Sequence, residues 1–463
     1  MRAAAILLSV LFGVAAAHAD ERALRPDESR LLSIYKQLIE INTTHSSGST
    51  TRAAEAMAKR LTAAGFAAKD LQILGPQPNK KNLVLRWRGG QAQQPLLLLA
   101  HLDVVEARRE DWSVDPFVLL EQDGYYYGRG TLDDKAMAAI FVATLIKMKQ
   151  EHVKPNRDLI LALTADEEGG PDNGVDWLLQ HHRDLVDAAL VLNEGGGGRI
   201  RDGKYLQNGV QASEKSFMTF RFEVRNKGGH SSLPTKDNAI YRLAAGLGRL
   251  EQYQFPIELN EVTRNYFERS AQSESGQMAA DLKAILQDQP DADAVARLSQ
   301  VPSYNATLRT TCVATRLEAG HADNALPQMA RATVNCRILP GHTTDEVQRT
   351  LASVVVDEQI IITPTEPDTA APAAPLHPAL MQVIATITDS MWPGVPVIAT
   401  MSTGATDSRF FRKAGVPAYG VSGLFVDMDD IRAHGKDERI GKQQFFESYE
   451  FLSRLVAALA TGS

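Results

Sequence analysis

Four short apolar runs, each followed by polar chain, constrain the fold more than any other feature of this sequence. They are "NLVLRWR" at 82–88, "PLLLLAHLD" at 95–103, "DLILALTADEEGG" at 158–170 and "AALVLNEGGGG" at 188–198. Runs of this length read as strands, and apolar residues at helical spacing fill the intervals, as in "DDKAMAAIFVATLIKMKQ" at 133–150 and "NGVDWLLQHH" at 173–182. Near-continuous apolar strands are buried on both faces, and strands that alternate with helices build a sheet covered on both sides. The expected class is therefore α/β, with a mixed, mostly parallel sheet and helices on both faces. A chain of 463 residues exceeds one ordinary core, and the pattern does change near residue 213. From there "SFMTFRFEVR" alternates like a half-exposed strand, and the order strand-helix-strand-strand-helix-strand that follows is that of a ferredoxin-like α+β unit. A polar stretch at roughly 255–303 interrupts that unit and reads as helical and peripheral, and "PDTAAPAAPLHP" leads back to the α/β pattern. The resulting layout is 20–212 and 369–463 for the sheet domain, with 213–368 as a smaller inserted domain.

Residues 1–19, "MRAAAILLSVLFGVAAAHA", combine one arginine, a short apolar core and an "AHA" cleavage pattern. They read as a secretory signal peptide, which places the mature chain in the periplasm or outside the cell, with no membrane span after its removal. The formal net charge of −7, without a basic cluster, argues against nucleic acid as a partner. Two cysteines, Cys312 and Cys336, are too few for a cysteine-based zinc site. They lie about symmetrically around a loop near residue 324, so two hairpin strands would set them opposite one another. An oxidising compartment favours a disulfide there.

The apolar runs share a second property: their ends carry residues that bind metals. His101 ends one, Glu167 and Glu168 follow another, and Glu194 follows a third. Asp133 and Asp134 precede a helix, and His434 stands in "RAHGKDERI". In an open α/β sheet, sites assemble beyond the carboxyl ends of the strands. Histidine with carboxylate and no cysteine suits zinc or a similar borderline metal. Such a set is what a two-metal hydrolytic site requires.

The stretches "LLLAHLDVV", "YYYGRGTLDDKA", "LTADEEGG", "LNEGG", "GGHSSLP", "DNALP", "STGATDSRF" and "HGKDERI" occur in one order along nearly the whole chain. In them the sequence resembles the co-catalytic zinc metallopeptidases of the carboxypeptidase G, aminoacylase and succinyl-diaminopimelate desuccinylase family, metallopeptidase family twenty. The vacuolar carboxypeptidase-like branch is the most similar. The resemblance implies two zinc ions per chain, with cobalt or manganese as substitutes. Asp133 would bridge them, His101 and Glu194 would complete one metal, and Glu168 and His434 the other. Asp103, two residues after His101 on a strand end, would hold that histidine's second nitrogen. Neighbouring residues on an extended segment point to different sides, so one of the pair can bind metal while the other faces the attacking water, and the resemblance implies that Glu167 is the latter, the general base. The inserted domain would be a lid whose His230 stabilises the oxyanion. Asn324, Arg337 and the loop Ser402, Thr403 and Gly404 would contact substrate, with the arginine fork suited to a free carboxylate. Ala136 stands where the family usually has glycine, and His321 and Ala322 depart from its pattern beside Asn324.

The expected activity is hydrolysis of an amide beside a free carboxylate, as in a carboxypeptidase or dipeptidase. The same chemistry fits an N-acyl-amino-acid amidohydrolase (an aminoacylase), and no residue identified above separates a small peptide from an N-acyl amino acid as substrate. A binding protein that has lost catalysis on the same fold is the reading from another class. Family lids also pair, which would permit a homodimer through the inserted domain.

Overall fold

The structure is a computed structural model that describes residues 23–90 and 93–462. The expected signal peptide lies outside the described residues. Among them, no helix is long and apolar enough to cross a membrane.

The centre of the molecule is a ten-stranded mixed sheet. Leu96–His101 lies between Leu159–Thr164 and Leu190–Asn193, parallel to both, and Ala418–Gly420 adds parallel to the latter. One flank, Lys80–Trp87 and Leu71–Gln77, is antiparallel, and the other mixes antiparallel and parallel pairs. Every residue of Leu96–His101 and of Leu159–Thr164 is buried, because successive side chains serve opposite faces and both faces are covered. Leu96, Leu98, Leu159 and Leu161 enter one core, against helices that include Pro26–Ile39, Lys135–Gln150 and Lys442–Thr461. Leu97, Leu99, Ile160 and Ala162 enter the other, against Gly174–His181 and Ser408–Lys413. Lys135–Gln150 is buried almost all round, which explains why its sequence is apolar rather than amphipathic.

The inserted unit is a four-stranded antiparallel sheet in the order Thr311–Ala319, Met329–Ile338, Ser216–Arg225, Ile361–Pro364. This is the expected ferredoxin-like order. Its inner face carries Phe220, Phe222, Ala332 and Val334, covered by helices Ala239–Gln252 and Thr344–Val355. Cys312 and Cys336 are direct cross-strand partners, and the structure joins them in a disulfide.

The stretch read as peripheral is helical but not peripheral. Helices from Glu261–Ser273 to Pro302–Leu308 form a small core of their own around Phe267, Leu282 and Leu298. Glu261–Ser273 also seats Val262 in the main core, and its Asn265 side-chain Oδ1 accepts the Ala399 N–H at 3.4 Å. Residues three apart lie on one helix face, so this face docks on the strand Val397–Ser402. A polar composition hid a single contact stripe.

Candidate metal centre

Parallel strands point the same way, so their carboxyl ends share one edge of the sheet. His101 closes its strand, and Glu194 directly follows Leu190–Asn193. Glu167 and Glu168 lie in the turn just past Leu159–Thr164. Asp133 comes just ahead of the helix Lys135–Gln150, and His434 lies in the loop before Arg439–Gly441. Five residues, dispersed over more than three hundred positions, thus meet at one point.

Their atoms form two groups that share Asp133. In the first, His101 Nε2 lies 3.0 Å from Asp133 Oδ1 and 3.7 Å from Glu194 Oε2. In the second, His434 Nε2 lies 3.0 Å from Asp133 Oδ2 and 2.9 Å from Glu168 Oε1. Each group offers three ligand atoms within 4.8 Å of one another. Ligands at tetrahedral zinc, bonded at about 2.0–2.2 Å, stand about 3.3 Å apart. The donor set and its spacing therefore fit a metal in each group, with the two oxygens of Asp133 divided between them.

The electrostatics agree. Burial, reinforced by neighbouring acids, raises Glu194 to about 7 and Glu167 well above the usual carboxylate range. Burial likewise takes Asp103 to about 6 and Asp134 well above the usual range. Asp133 departs the other way: burial raises it, but hydrogen bonds from His101 and His434 outweigh that and hold it below the usual range. Hydrogen bonds to Asp133 and Glu168 push His434 up to about 10. Buried acids that resist ionisation beside imidazoles that hold protons are the condition a dication relieves.

Asp103 sits where expected but grips different atoms. The nearer partner of His101 Nδ1 is the Asp103 backbone carbonyl at 3.0 Å, while the carboxylate lies 3.7 Å away. That carboxylate accepts the backbone N–H groups of Glu167 at 3.2 Å and Glu168 at 2.9 Å. One residue thereby orients a histidine with its main chain and the acidic pair with its side chain.

The remaining sequence-derived residues lie elsewhere. His230 and Ala325 pair in a short two-stranded ribbon, next to Asn324, whose carbonyl accepts the Ser231 N–H. Among the described residues, no hydrogen bond or ion pair links His230 to the five candidate ligands. Arg337 lies over the Phe217 ring at 5.5 Å, at the opposite end of the small sheet. In the 402–404 loop, Ser402 Oγ already takes the Gly404 N–H at 3.0 Å, which removes one of the donors expected there.

Glu438 was not singled out from the sequence, yet it is fully buried. Its carboxylate accepts the N–H groups of Gly130, Leu132 and Asp133 and a 2.6 Å bond from Arg129. Arg129 in turn donates to the carbonyls of His434 and Gly435. This pair clamps the Asp133 turn to the His434 loop and so joins two candidate ligands 301 residues apart. The available signal was an acid within "HGKDERI", indistinguishable there from solvated charge. Glu438→Ala is expected to weaken metal affinity about 10–100-fold, as loss of groups that orient ligands does. Competition with a chromophoric chelator measures it, and unchanged affinity in a folded variant rejects the clamp.

A family model described as Peptidase family M20/M25/M40 matches residues 97–458. The N-fatty-acyl-amino acid synthase/hydrolase PM20D1 of Homo sapiens is 33% identical over 381 residues, covering 78% of this chain and 74% of the human protein. The probable carboxypeptidase S-like 2 of Dictyostelium discoideum is 27% identical over 389 residues, covering 81% of this chain and 74% of its own length. Among solved structures, the M20 family metallo-carboxypeptidase Sso-CP2 from Sulfolobus solfataricus aligns with a TM-score of 0.68 at 16% identity, over 93% of this chain and 99% of that one. At that identity the likeness speaks for the fold.

Proposed function

The chain belongs to peptidase family M20/M25/M40 and is a hydrolase; on that premise we propose that it cleaves an amide bond beside a free carboxylate. The observation that carries the reading is the division of Asp133 between two three-residue groups, with Glu167, half-buried, next to Glu168 in sequence. Two zinc ions, with cobalt or manganese as substitutes, would polarise the scissile carbonyl and make a water molecule acidic enough to attack it. His101, Asp133 and Glu194 would hold one, and Asp133, Glu168 and His434 the other. Glu167, fixed through its backbone by Asp103, accepts the proton of the attacking water and returns it to the leaving amine.

His230 supplies a donor to the oxyanion once the smaller domain closes as a lid. Its Nδ1 accepts the Ser232 N–H at 3.1 Å, so the proton resides on Nε2, the nitrogen left free to donate. Arg337, Asn324 and the Ser402, Thr403 and Gly404 loop would receive the substrate's carboxylate. Residues 1–19 would direct the chain out of the cytoplasm, where the Cys312–Cys336 disulfide persists.

A carboxypeptidase or dipeptidase is the first form of this activity. The second, an N-acyl-amino-acid amidohydrolase, is favoured by the human relative that carries such substrates in its name. The zinc-loaded protein is expected to hydrolyse members of a panel of C-terminal dipeptides and N-acyl amino acids, followed by amine release. It is expected to spare the corresponding carboxyl-terminal amides. Equal rates on acids and amides would reject recognition of the carboxylate.

A further inference from the structure

A buried lysine outside the reaction described above stands against the residue that precedes Glu167. Lys80 opens the strand Lys80–Trp87, which runs antiparallel to Leu159–Thr164 with Leu83 opposite Leu163. Lys80 precedes the one by three residues and Asp166 follows the other by three, so the register sets them level at the end of the sheet. Their charges meet there. Lys80 Nζ lies 3.3 Å from Asp166 Oδ1, and the two residues are 3% and 2% exposed. Among the described residues, neither Asp166 oxygen accepts a hydrogen bond. The other basic side chain beside it is the exposed His45, whose Nδ1 lies 3.8 Å from the same oxygen.

The backbone around the pair ties it to the acidic turn. Asp166 has a φ of 58°, a left-handed conformation that few residues other than Gly, Asn and Asp adopt without cost. Its carbonyl accepts the Asn173 side-chain N–H at 3.3 Å. Gly170 lies against its carboxylate so closely that a Cβ there would stand 2.6 Å from Oδ2. Lys80 Nζ also donates to the Thr44 carbonyl at 3.4 Å, and Thr44 bridges to Val104, the residue after Asp103. Asp103 in turn holds the backbone N–H groups of Glu167 and Glu168. One ammonium group thus joins both supports of the acidic pair. A buried carboxylate that loses its cation is driven toward water, and Asp166 can reach water only by undoing this turn.

We propose that Lys80 is a positioning residue for the general base: its charge keeps the Asp166 carboxylate buried, and that carboxylate fixes the turn that presents Glu167 to the attacking water. The inference rests on the hydrolase reading above, with Glu167 as base, and adds a residue that contacts neither metal ligand nor substrate.

The test is Lys80→Met, which keeps the length of the side chain without its charge, assayed on zinc-saturated protein. Its kcat is expected to fall about 10²-fold, the cost of misplacing a catalytic group by about 1 Å. KM is expected to stay within about twofold and zinc content to stay unchanged, because the substrate and metal contacts are intact. Adding Asp166→Asn removes the stranded charge while tolerating the left-handed backbone, and is expected to restore about tenfold of the loss. In a Glu167→Gln background, Lys80→Met is expected to cost less than about threefold, since the group it positions is already gone. A kcat for Lys80→Met equal to that of the unaltered chain overturns the inference. So does a double variant no better than Lys80→Met alone, or the same loss with and without the Glu167 carboxylate. If Lys80→Met does not fold, the Lys80→Met, Asp166→Asn protein decides alone: the full 10²-fold loss in a folded double variant overturns the inference. An impaired Glu167→Gln beside an unimpaired Lys80→Met overturns this inference and leaves the base reading intact. A fully active Glu167→Gln overturns both.

Discussion

Glu167→Gln is expected to lose about 10²–10⁴ in kcat, the range for removal of a general base, while the protein keeps both metals. Glutamine preserves size and hydrogen-bonding capacity but cannot take a proton from water. The backbone anchor is unaffected, because Asp103 holds the Glu167 and Glu168 main-chain N–H groups rather than their side chains. KM is expected to change little, since the base contacts water more than substrate. Glu168→Gln is the paired control. Its carboxylate lies 2.9 Å from His434 within one of the two ligand groups, so its loss should lower metal content and activity together. Metal analysis beside steady-state kinetics separates the two. A Glu167→Gln protein that loses a metal, with a Glu168→Gln protein that keeps both, reverses the assignment. Full activity in both contradicts the hydrolytic mechanism.

His230→Ala is expected to lower kcat by about 10²–10³, the cost of one oxyanion donor, with metal content unchanged. The prediction is demanding because His230 is exposed and, among the described residues, shares no hydrogen bond or ion pair with the candidate ligands. Catalysis would then require closure of the small domain on the large one, as in other hinged enzymes. His230→Gln, which retains an N–H donor, should recover part of the loss, whereas a purely structural role for the imidazole would give no such recovery. Unchanged turnover of His230→Ala on every cleaved substrate removes His230 from the reaction.

What the sequence disclosed follows from which interactions are local. Leu96–His101 and Leu159–Thr164 announce themselves because burial on both faces demands unbroken apolar runs. Their polar ends are conspicuous for the same reason, which made His101, Glu168 and Glu194 legible as a set before any geometry was known. Lys204–Glu214 carried no such mark. Its Gln207, Asn208, Gly209 and Gln211 resemble a loop, yet it pairs with Gly197–Arg201, Val397–Ser402 and Ala418–Gly420. Asn208 reaches Thr388, and Gln211 reaches Glu214, so buried polar side chains replace the usual apolar ones. The clamp of Arg129 and Glu438 was illegible because its members lie far apart and each alone resembles surface charge. The docking of Glu261–Ser273 escaped for a related reason, since Val262 alone of its buried apolar residues enters the main core, while Phe267 and Ala271 pack in the small core beside it.

The central claim is that Asp133 serves two metals at once. Its most direct test is metal stoichiometry by mass spectrometry on zinc-saturated, dialysed protein, for the unaltered chain and for Asp133→Asn. The account predicts two zinc ions per chain in the first. In the second it predicts fewer than one, because a single substitution deprives both ligand groups of a carboxylate oxygen. One zinc ion per unaltered chain, or two retained by Asp133→Asn, would contradict it.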